Sequence, residues 1–175
     1  ASNFKKKVLF FGRISPYKGV ELFYAAAEQL SKEFKDVQFI IAGKAITGYS
    51  PEFLDNNSNP NIKILNQFID LNTLGELMTE SSFCVLPYLD ATQSGVVMTA
   101  YAYDLPVLVS DCPGLLEYCF DPSNFSFKNG DLSDLISKMR NLLLSESLLQ
   151  ENKKSITSYA DMNVSENNVN KILKG

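Results

Sequence analysis

Short apolar runs alternate with amphipathic helical stretches along this 175-residue chain, and the alternation predicts an α/β fold. The strand candidates are apolar at nearly every position, which is typical of parallel strands that helices cover on both faces. Right-handed crossovers between such strands place helices on both sides of the sheet. The sequence therefore predicts a Rossmann-like, doubly wound parallel sheet of about six strands.

The predicted strands are short apolar runs that end at a glycine, a proline or a polar residue. They cover residues 8–11, 37–42, 62–65, 82–87, 106–110 and 125–127. Cys84 lies within the fourth strand and is interpreted as a small core residue. Because the strands are parallel, their carboxyl ends meet at one edge of the sheet, where doubly wound domains bind ligands.

The predicted helices carry apolar residues three or four positions apart. Asp70 or Asn72 is expected to cap the second long helix. From Ser145 the pattern remains helical but becomes too polar to form a core of its own. We expect one domain over residues 1–145 and a helical tail over residues 146–175, packed on that domain or on another half of the protein. The helices cover residues 19–34, 70–80, 95–103, 114–119 and 131–144, and the loop 45–60 holds one helical turn near 51–55.

Composition excludes several classes of protein. The formal net charge is −4 with no long run of one sign, which argues against nucleic-acid binding. The chain has no histidine, so Ser-His-Asp and Cys-His mechanisms are excluded within it. Its three cysteines lack metal-ligand spacing and indicate reduced thiols in the cytoplasm. No apolar run reaches the roughly 20 residues of a transmembrane helix, and the basic N-terminus lacks the apolar region of a signal peptide.

Two cations follow the first predicted strand. Arg13 comes directly after Gly12, and Lys18 precedes Gly19 where a helical pattern begins. Arginine offers a planar fork for phosphate oxygens, lysine offers a point charge, and a helix start favours anions. The alternative is a pair of solvated surface cations, and spacing alone does not separate the two interpretations. Neither a dinucleotide-binding fingerprint nor a P-loop motif is present.

A second helix start lies at the same predicted edge of the sheet. Ser94 is a plausible N-cap, and Gly95 lets a ligand approach the backbone closely. The alternative is an ordinary capped helix. Two anion-suited elements at one edge point to a ligand with several negative charges, such as phosphates. Nearby, Asp90, Asp111 and Glu117 are candidates to accept hydrogen bonds from ribose hydroxyls, although each is individually more typical of a cap or a solvated residue.

Five segments, in order, resemble the sequence signatures of one family. Most of the chain from Lys7 to Leu144 is therefore similar to the GT-B glycosyltransferases of glycosyltransferase family 4, or group 1. The resemblance is carried by FGRISPYKG at 11–19 for the loop “G-R-hydrophobic-x-x-x-K-G”, VQFIIAG at 37–43 for a strand ending in “hydrophobic-A/G-G”, VLP at 85–87 for “V-L-P-S”, residues 94–111 for “G-x-x-x-x-E-A-M-A-x-G-x-P-V-V-A-S-D”, and PGLLE at 113–117 for “G-G-hydrophobic-x-E”.

The resemblance implies one half of a two-domain GT-B enzyme, namely the C-terminal half that binds the nucleotide-sugar donor. It implies that Arg13 and Lys18 are the catalytic residues, since they bind the donor diphosphate beside Gly12. The implied reaction is the retaining transfer of a hexosyl group from a nucleotide-diphosphate sugar to a glycan or glycoconjugate acceptor in polysaccharide biosynthesis. The missing N-terminal Rossmann-like domain would be the partner, and the isolated domain would be inactive.

The resemblance also implies that Ser94, Gly95 and Val96 support the diphosphate at the helix start. This helix start would replace the metal ion that other transferases use, so no metal and no cofactor are expected. We expect no nucleic-acid partner and no transmembrane segment. The expected location is the cytoplasm, and peripheral contact of the parent protein with the membrane stays open.

The chain departs from the family at one pattern. The family carries two glutamates in an E-x7-E arrangement, the second of which binds the donor ribose. Aligned on Pro106, the corresponding positions are Ala91 and Thr99. The candidates for ribose contact are then Thr99 itself and Asp90, which is adjacent to Ala91. The alternative function is a degenerate, non-catalytic binding or scaffold module. A receiver-like domain is disfavoured, because Gly12 and Arg13 stand where a receiver needs acidic residues.

Overall fold

The computed structural model describes residues 4–91 and 94–174 as a six-stranded sheet with helices on both faces. All neighbouring strands pair in parallel, in the order β3-β2-β1-β4-β5-β6, so the predicted doubly wound fold is confirmed. The strands are β1 (Lys6–Phe11), β2 (Val37–Ala42), β3 (Ile62–Leu65), β4 (Phe83–Leu86), β5 (Val107–Ser110) and β6 (Ser126–Phe127). The helices are α1 (Val20–Glu33), α2 (Phe53–Asn56), α3 (Leu71–Glu80), α4 (Gly95–Ala102), α5 (Pro113–Leu116), α6 (Pro122–Phe125), α7 (Leu132–Leu144) and α8 (Glu146–Lys174).

The order of strands reverses at the centre of the sheet. β1 pairs with β2 on one side, from Lys6 opposite Val37 to Phe11 opposite Ala42, and with β4 on the other. The chain therefore leaves β1 in one direction and returns beside it at β4. In open α/β sheets this switch point is where ligands bind, beyond the carboxyl ends of the strands. The loops that follow β1 and β4 meet there.

Two hydrophobic cores cover the two faces of the sheet. Consecutive side chains of a strand point to opposite faces, so Val8 and Phe10 pack with α1 and α7, whereas Leu9 packs with Cys84 and α4. Cys84 is fully buried, and burial raises the pKa of its thiol to about 12. The core interpretation of Cys84 is therefore confirmed. Each face contributes the apolar contacts that hold the loops of the sheet edge in place.

The structure differs from the predicted elements in three places. The helix predicted over residues 114–119 is the single turn α5, which ends at Leu116. A short 3-10 helix, Pro16–Lys18, lies in the stretch after β1, where no separate element is predicted. Residues 125–127 are not a continuous strand, because Phe125 ends α6 and only Ser126–Phe127 pairs with β5. Proline at the first position favours these short helices, since its fixed φ suits a helix start. The apolar run alone cannot show that its first residue closes a helical turn.

The C-terminal helix α8 packs along the domain. Ile156 is fully buried in the same core as α4, and Leu149 is buried in the core of α1 and α7. The Tyr159 ring lies 5.5 Å from that of Phe120 in an edge contact. These contacts place the first half of α8 on this domain. The division of the chain at residue 145 stays a prediction. Residues 1–3 and 175, at the two ends of the predicted units, lie outside the described residues.

Candidate functional site

The loop after β1, residues 12–19, is called the first loop. It is joined to the loop after β2 through the backbone, because the Ile14 N–H donates to the Lys44 carbonyl at 3.0 Å and the Ile46 N–H donates to the Ile14 carbonyl at 3.0 Å. Gly43 has a φ of +152°, and a Cβ built on it would lie 1.9 Å from the Gly12 carbonyl oxygen. Only glycine allows this approach. The two loops therefore form one rigid ledge at the sheet edge.

The first loop is also joined to the end of β4. Gly19 is left-handed, with a φ of +67°, and a Cβ built on it would lie 1.9 Å from the Pro87 carbonyl oxygen. The Leu89 N–H donates to the Tyr17 carbonyl at 2.8 Å. Lys18 lies between these two contacts, at the end of the 3-10 helix. Backbone contacts on both sides therefore fix where the Lys18 side chain begins.

The segment after β4, residues 87–94, is called the second loop. Residues 92 and 93 lie outside the described residues. Ser94 is the N-cap of α4, as predicted: its Oγ accepts from the Val96 N–H at 3.2 Å. Among the described residues, no atom lies within 4 Å of a Cβ built on Gly95, so they leave space beside it. The first amides of a helix lack intrahelical acceptors and carry the positive end of the helix dipole, so this start suits an anion.

Lys18, Tyr88 and Ser94 connect the two loops. The Lys18 ammonium donates to the Tyr88 hydroxyl at 3.2 Å, and this hydroxyl lies 3.4 Å from Ser94 Oγ. The ammonium also lies over the Tyr88 ring, 4.4 Å from its centroid. Tyr88 is 1% exposed. We call these three residues the bridging triad.

Gly12 and Val96 lie beside the triad. A Cβ built on Gly12 would lie 3.7 Å from Val96 Cγ2 and 3.8 Å from the Tyr88 hydroxyl. The structure therefore brings Gly12, Lys18, Ser94 and Val96 together, with Gly95 at the same helix start. Their role in ligand binding stays a prediction.

Arg13 faces the other side of the switch point. It is exposed and lines a cleft of about 530 Å³ formed by the loops after β1, β2 and β3. Phe68 forms part of the opposite wall and is 82% exposed. A ligand that uses both predicted cations must therefore extend from this cleft to the start of α4.

The candidate ribose residues are placed differently. Thr99 lies one turn into α4, and its Oγ1 donates to the Gly95 carbonyl at 2.9 Å. Asp90 is exposed in the second loop, and Ala91 is half-buried beside it. Ribose contact by Thr99 or Asp90 stays a prediction. Among the described residues, no group of three or more Cys, Asp or Glu side chains is arranged to hold a metal ion, and no helix is long and apolar enough to cross a membrane.

Tyr88 is the member of the site that sequence reasoning did not select. A signal existed: Val85-Leu86-Pro87 matches the first three positions of “V-L-P-S”, and Tyr88 stands where that signature has serine. A large phenol in place of a small hydroxyl at the end of a central strand indicates a changed local role.

Comparison with known proteins gives one family and a consistent fold. The sequence profile described as “Glycosyl transferases group 1” matches residues 5–145. The C-terminal domain of a glycosyl transferase group 1 family protein (LpcC) from Francisella tularensis has a TM-score of 0.73 and 18% identity, over 89% of this chain and 86% of that one. The catalytic domain of cholesterol-α-glucosyltransferase from Helicobacter pylori has a TM-score of 0.72 and 19% identity, over 88% of this chain and 98% of that one.

A third solved structure is longer than this chain. A point mutant of TarM from S. aureus, in complex with fondaparinux, α-GlcNAc-glycerol and UDP, has a TM-score of 0.72 and 21% identity, over 86% of this chain and 31% of that one. At these identities the likeness shows the fold, which agrees with the Rossmann-like prediction. No curated protein is significantly similar to this chain in sequence.

Proposed function

The chain belongs to the glycosyl transferases of group 1, and from that premise we propose that it binds the sugar donor of the reaction, a nucleotide-diphosphate sugar. The observation that carries the proposal is the bridging triad. Lys18 of the first loop reaches Ser94 at the start of α4 through the Tyr88 hydroxyl. A ligand that uses a lysine and a helix start together carries more than one negative charge, as a diphosphate does.

The cleft beside Arg13 would hold the nucleoside. Its volume of about 530 Å³ lies within the usual range of small-molecule sites. Its walls combine apolar side chains, Phe68 and Ile69, with the Arg13 guanidinium at the edge. A base and ribose in this cleft would direct the phosphate chain past Arg13 toward Lys18. The proximal phosphate would then meet Arg13, and the distal phosphate would meet Lys18 and the first amides of α4.

This arrangement supports departure of a diphosphate. When the bond between the sugar carbon and the diphosphate oxygen breaks, negative charge grows on the diphosphate. Arg13, Lys18 and the α4 helix start would stabilise that charge more strongly than they stabilise the intact donor. The UDP present in the TarM complex is a leaving group of this class. We therefore assign Arg13 and Lys18 as catalytic residues that need no metal ion.

The proposed transfer is of a hexosyl group with retention of configuration, to a glycan or glycoconjugate in polysaccharide biosynthesis. Retention is supported by the similar H. pylori domain, whose name specifies an α-glucoside product, because nucleotide-glucose donors carry the same α configuration. The chain spans about a third of TarM. A second Rossmann-like half would bring the acceptor, so the isolated domain is expected to bind donor without transferring it.

Ligand titration tests the proposal. We expect UDP or GDP, or one of their sugars, to shift the amide resonances of Gly12 and Gly95 in NMR spectra and to bind with measurable heat. Arg13→Ala should weaken this binding by about 10-fold or more, since hydrogen bonds between charged groups are strong. Lys32→Ala, which removes the same charge from the far end of α1, is the matched control. No binding at millimolar ligand, or equal binding by Arg13→Ala, would contradict the proposal.

A second candidate function is a non-catalytic binding module. The observation that favours it is the absence of both family glutamates, because Ala91 and Thr99 occupy their positions. The Thr99 hydroxyl is engaged with the Gly95 carbonyl, which leaves it a poorer partner for ribose than a carboxylate. Transfer to an acceptor by the parent protein, abolished by Lys18→Ala, would exclude this alternative. Donor binding without any transfer would favour it.

A further inference from the structure

We infer that Tyr88 positions Lys18 and Ser94 to receive the distal phosphate of the donor, an inference that rests on the proposed function of this site. Tyr88 would act through its two neighbours. Its phenol lies between the two loops and contacts one residue from each. It is therefore a positioning residue, and its effect should depend on Lys18.

The backbone of Tyr88 is held firmly. Its carbonyl accepts from Ser110 Oγ at 2.6 Å and from Cys112 Sγ at 3.3 Å, so it is tied to the end of β5. Its ring is buried and stands edge-on to that of Tyr17, with centroids 6.4 Å apart. A phenol held at both its backbone and its ring cannot follow Lys18. Lys18 must instead adapt to the phenol.

The hydrogen-bond directions show what Tyr88 does to Lys18. An ammonium only donates, so the Tyr88 hydroxyl oxygen accepts from it. Two of the three N–H groups of Lys18 then remain for a phosphate. The Tyr88 ring, 4.4 Å from Nζ, and the Tyr17 ring, 5.2 Å from Nζ, favour the same lysine conformation through cation–π attraction. Lys18 has therefore lost rotamer freedom before a ligand arrives, which lowers the entropic cost of binding.

The same hydroxyl prepares Ser94. Ser94 Oγ already accepts from the Val96 N–H. If the Tyr88 hydroxyl, having accepted from Lys18, donates to Ser94 Oγ, the Ser94 hydroxyl hydrogen is released toward the opening above Gly95. Hydrogen bonds in such a chain strengthen one another. Tyr88 would thus orient the Lys18 ammonium and the Ser94 hydroxyl toward the same position at the start of α4, where a phosphate could accept hydrogen bonds from both.

The position of that point predicts a selective effect. The cleft with Arg13 receives the nucleoside and the proximal phosphate, whereas the bridging triad lies at the far end, by α4. Removal of the Tyr88 hydroxyl should therefore weaken the binding of nucleotides with two phosphates and leave the binding of nucleotides with one phosphate nearly unchanged. A general disturbance of the fold would weaken both classes of ligand.

Calorimetric titration of Tyr88→Phe with UDP and GDP, and with UMP and GMP, tests the inference. We expect the diphosphate that binds the wild-type chain to bind about 5- to 20-fold more weakly, and the matching monophosphate to change by less than about 2-fold. In the Lys18→Ala background, the further change caused by Tyr88→Phe should fall to about 2-fold, because only the contact of Tyr88 with Ser94 remains to be lost. Tyr101→Phe is the matched control, since it removes a buried tyrosine hydroxyl that donates to the Tyr118 carbonyl at 2.6 Å, away from the site.

The outcomes separate the inference from the proposed function. If the wild-type chain binds no nucleotide, the proposed function fails and the inference fails with it. If the wild-type chain binds UDP or GDP and Tyr88→Phe binds it equally well, the inference alone is overturned. The inference is also overturned if Tyr88→Phe lowers the affinity for monophosphates and diphosphates equally. The same holds if it lowers diphosphate affinity as much in the Lys18→Ala background as in the wild-type chain. Either result indicates a structural role.

A measurement on the wild-type chain covers the case in which Tyr88→Phe does not fold. A lysine methylene beside an aromatic ring face has upfield-shifted proton resonances in NMR spectra. We expect the Lys18 Cε protons to be shifted in this way without ligand, and to move further when UDP or GDP is added. Random-coil shifts for Lys18 would overturn the inference.

Discussion

The first loop and the second loop lie at the same edge of the sheet, yet different kinds of interaction hold them in place. The first loop is held by its backbone. Gly43 packs against Gly12 and Gly19 packs against Pro87, each so closely that a Cβ would overlap a carbonyl oxygen. No side chain of the loop is needed for these contacts.

The second loop shares the backbone contacts at Pro87 and Leu89 with the first loop, but side chains hold Tyr88 and Ser94. The Tyr88 phenol reaches Lys18 and Ser94, and the Ser94 hydroxyl caps α4. Gly95, in contrast to Gly19, has no atom of the described residues within 4 Å of where its Cβ would be. The difference teaches that one half of the proposed diphosphate site is a fixed ledge, while the other half depends on a few polar side chains. Substitutions of the closely packed glycines should therefore affect folding most, whereas substitutions of the polar side chains that join the loops should affect ligand binding most.

The largest expected effect is on folding, at the ledge. Gly43→Ala should lower the free energy of unfolding by at least about 3 kcal/mol, because the new Cβ meets backbone atoms in a left-handed conformation. Its Cβ would lie 1.9 Å from the Gly12 oxygen, which no rotamer change relieves. Urea denaturation followed by circular dichroism measures the change.

Gly48→Ala is the control for Gly43→Ala. Gly48 has a φ of +83°, but no atom of the described part of the chain lies within 4 Å of a built Cβ, so the substitution meets only the penalty of the backbone conformation. Its expected cost is about 1 kcal/mol. Equal losses for the two variants would show that the close approach of the loops after β1 and β2 contributes nothing to stability.

The next effect is on binding, at the point where the two loops meet. Lys18→Ala should weaken UDP or GDP binding by about 10- to 100-fold, since a charge-assisted contact with phosphate is lost. Thermal unfolding should change little, because backbone contacts hold the first loop. Lys128→Ala removes the same charge from an exposed lysine beyond β6, at the same sheet edge. If Lys128→Ala weakens nucleotide binding as much as Lys18→Ala does, the overall positive electrostatic potential of this sheet edge, rather than a specific contact with Lys18, attracts the ligand.

A smaller effect is expected at the N-cap of α4. Ser94→Ala should lower stability by about 1 kcal/mol and should also weaken nucleotide binding. Ser94→Asp keeps a capping oxygen, so stability should return, but its negative charge should repel a diphosphate. Asp70→Ala removes the cap of α3, where the carboxylate accepts from the Thr73 N–H at 2.8 Å, and is expected to leave nucleotide binding unchanged. Full binding by Ser94→Asp would contradict an anion site at this helix start.

Much of the fold could be predicted because its signals are local. β2 and β3 begin and end where their apolar runs do, since polar residues or glycine flank both. Residues two positions apart cannot share a helix face, so the sequence predicts that Tyr101 and Tyr103 lie on different faces. Accordingly, Tyr101 is 6% exposed, and Tyr103 at the end of α4 is 41% exposed. Helical periodicity alone decides such questions, without knowledge of the neighbours.

The part that could not be predicted depends on contacts between distant residues. Tyr88 joins Lys18, seventy positions earlier in the chain, and nothing in its own neighbourhood shows that pairing. The separation of Arg13 from Lys18 was also missed, because a sequence cannot show that one cation faces the loops after β2 and β3 while the other faces β4. The glycines of the first loop were visible, whereas the side-chain contacts of the second loop were not.

The smallest expected effect separates folding from binding most clearly. Gly95→Ala should raise the free energy of unfolding, by less than about 1 kcal/mol, because alanine favours helix and its Cβ meets no atom of the residues that the structure describes. The same Cβ would occupy the position from which a phosphate approaches the first amides of α4, so UDP or GDP affinity should fall by about 2- to 5-fold. Stability and affinity would then move in opposite directions, which a packing defect cannot produce. Greater stability with unchanged affinity would show that the helix start of the second loop does not contact the ligand, and the site would be reduced to the cations of the first loop.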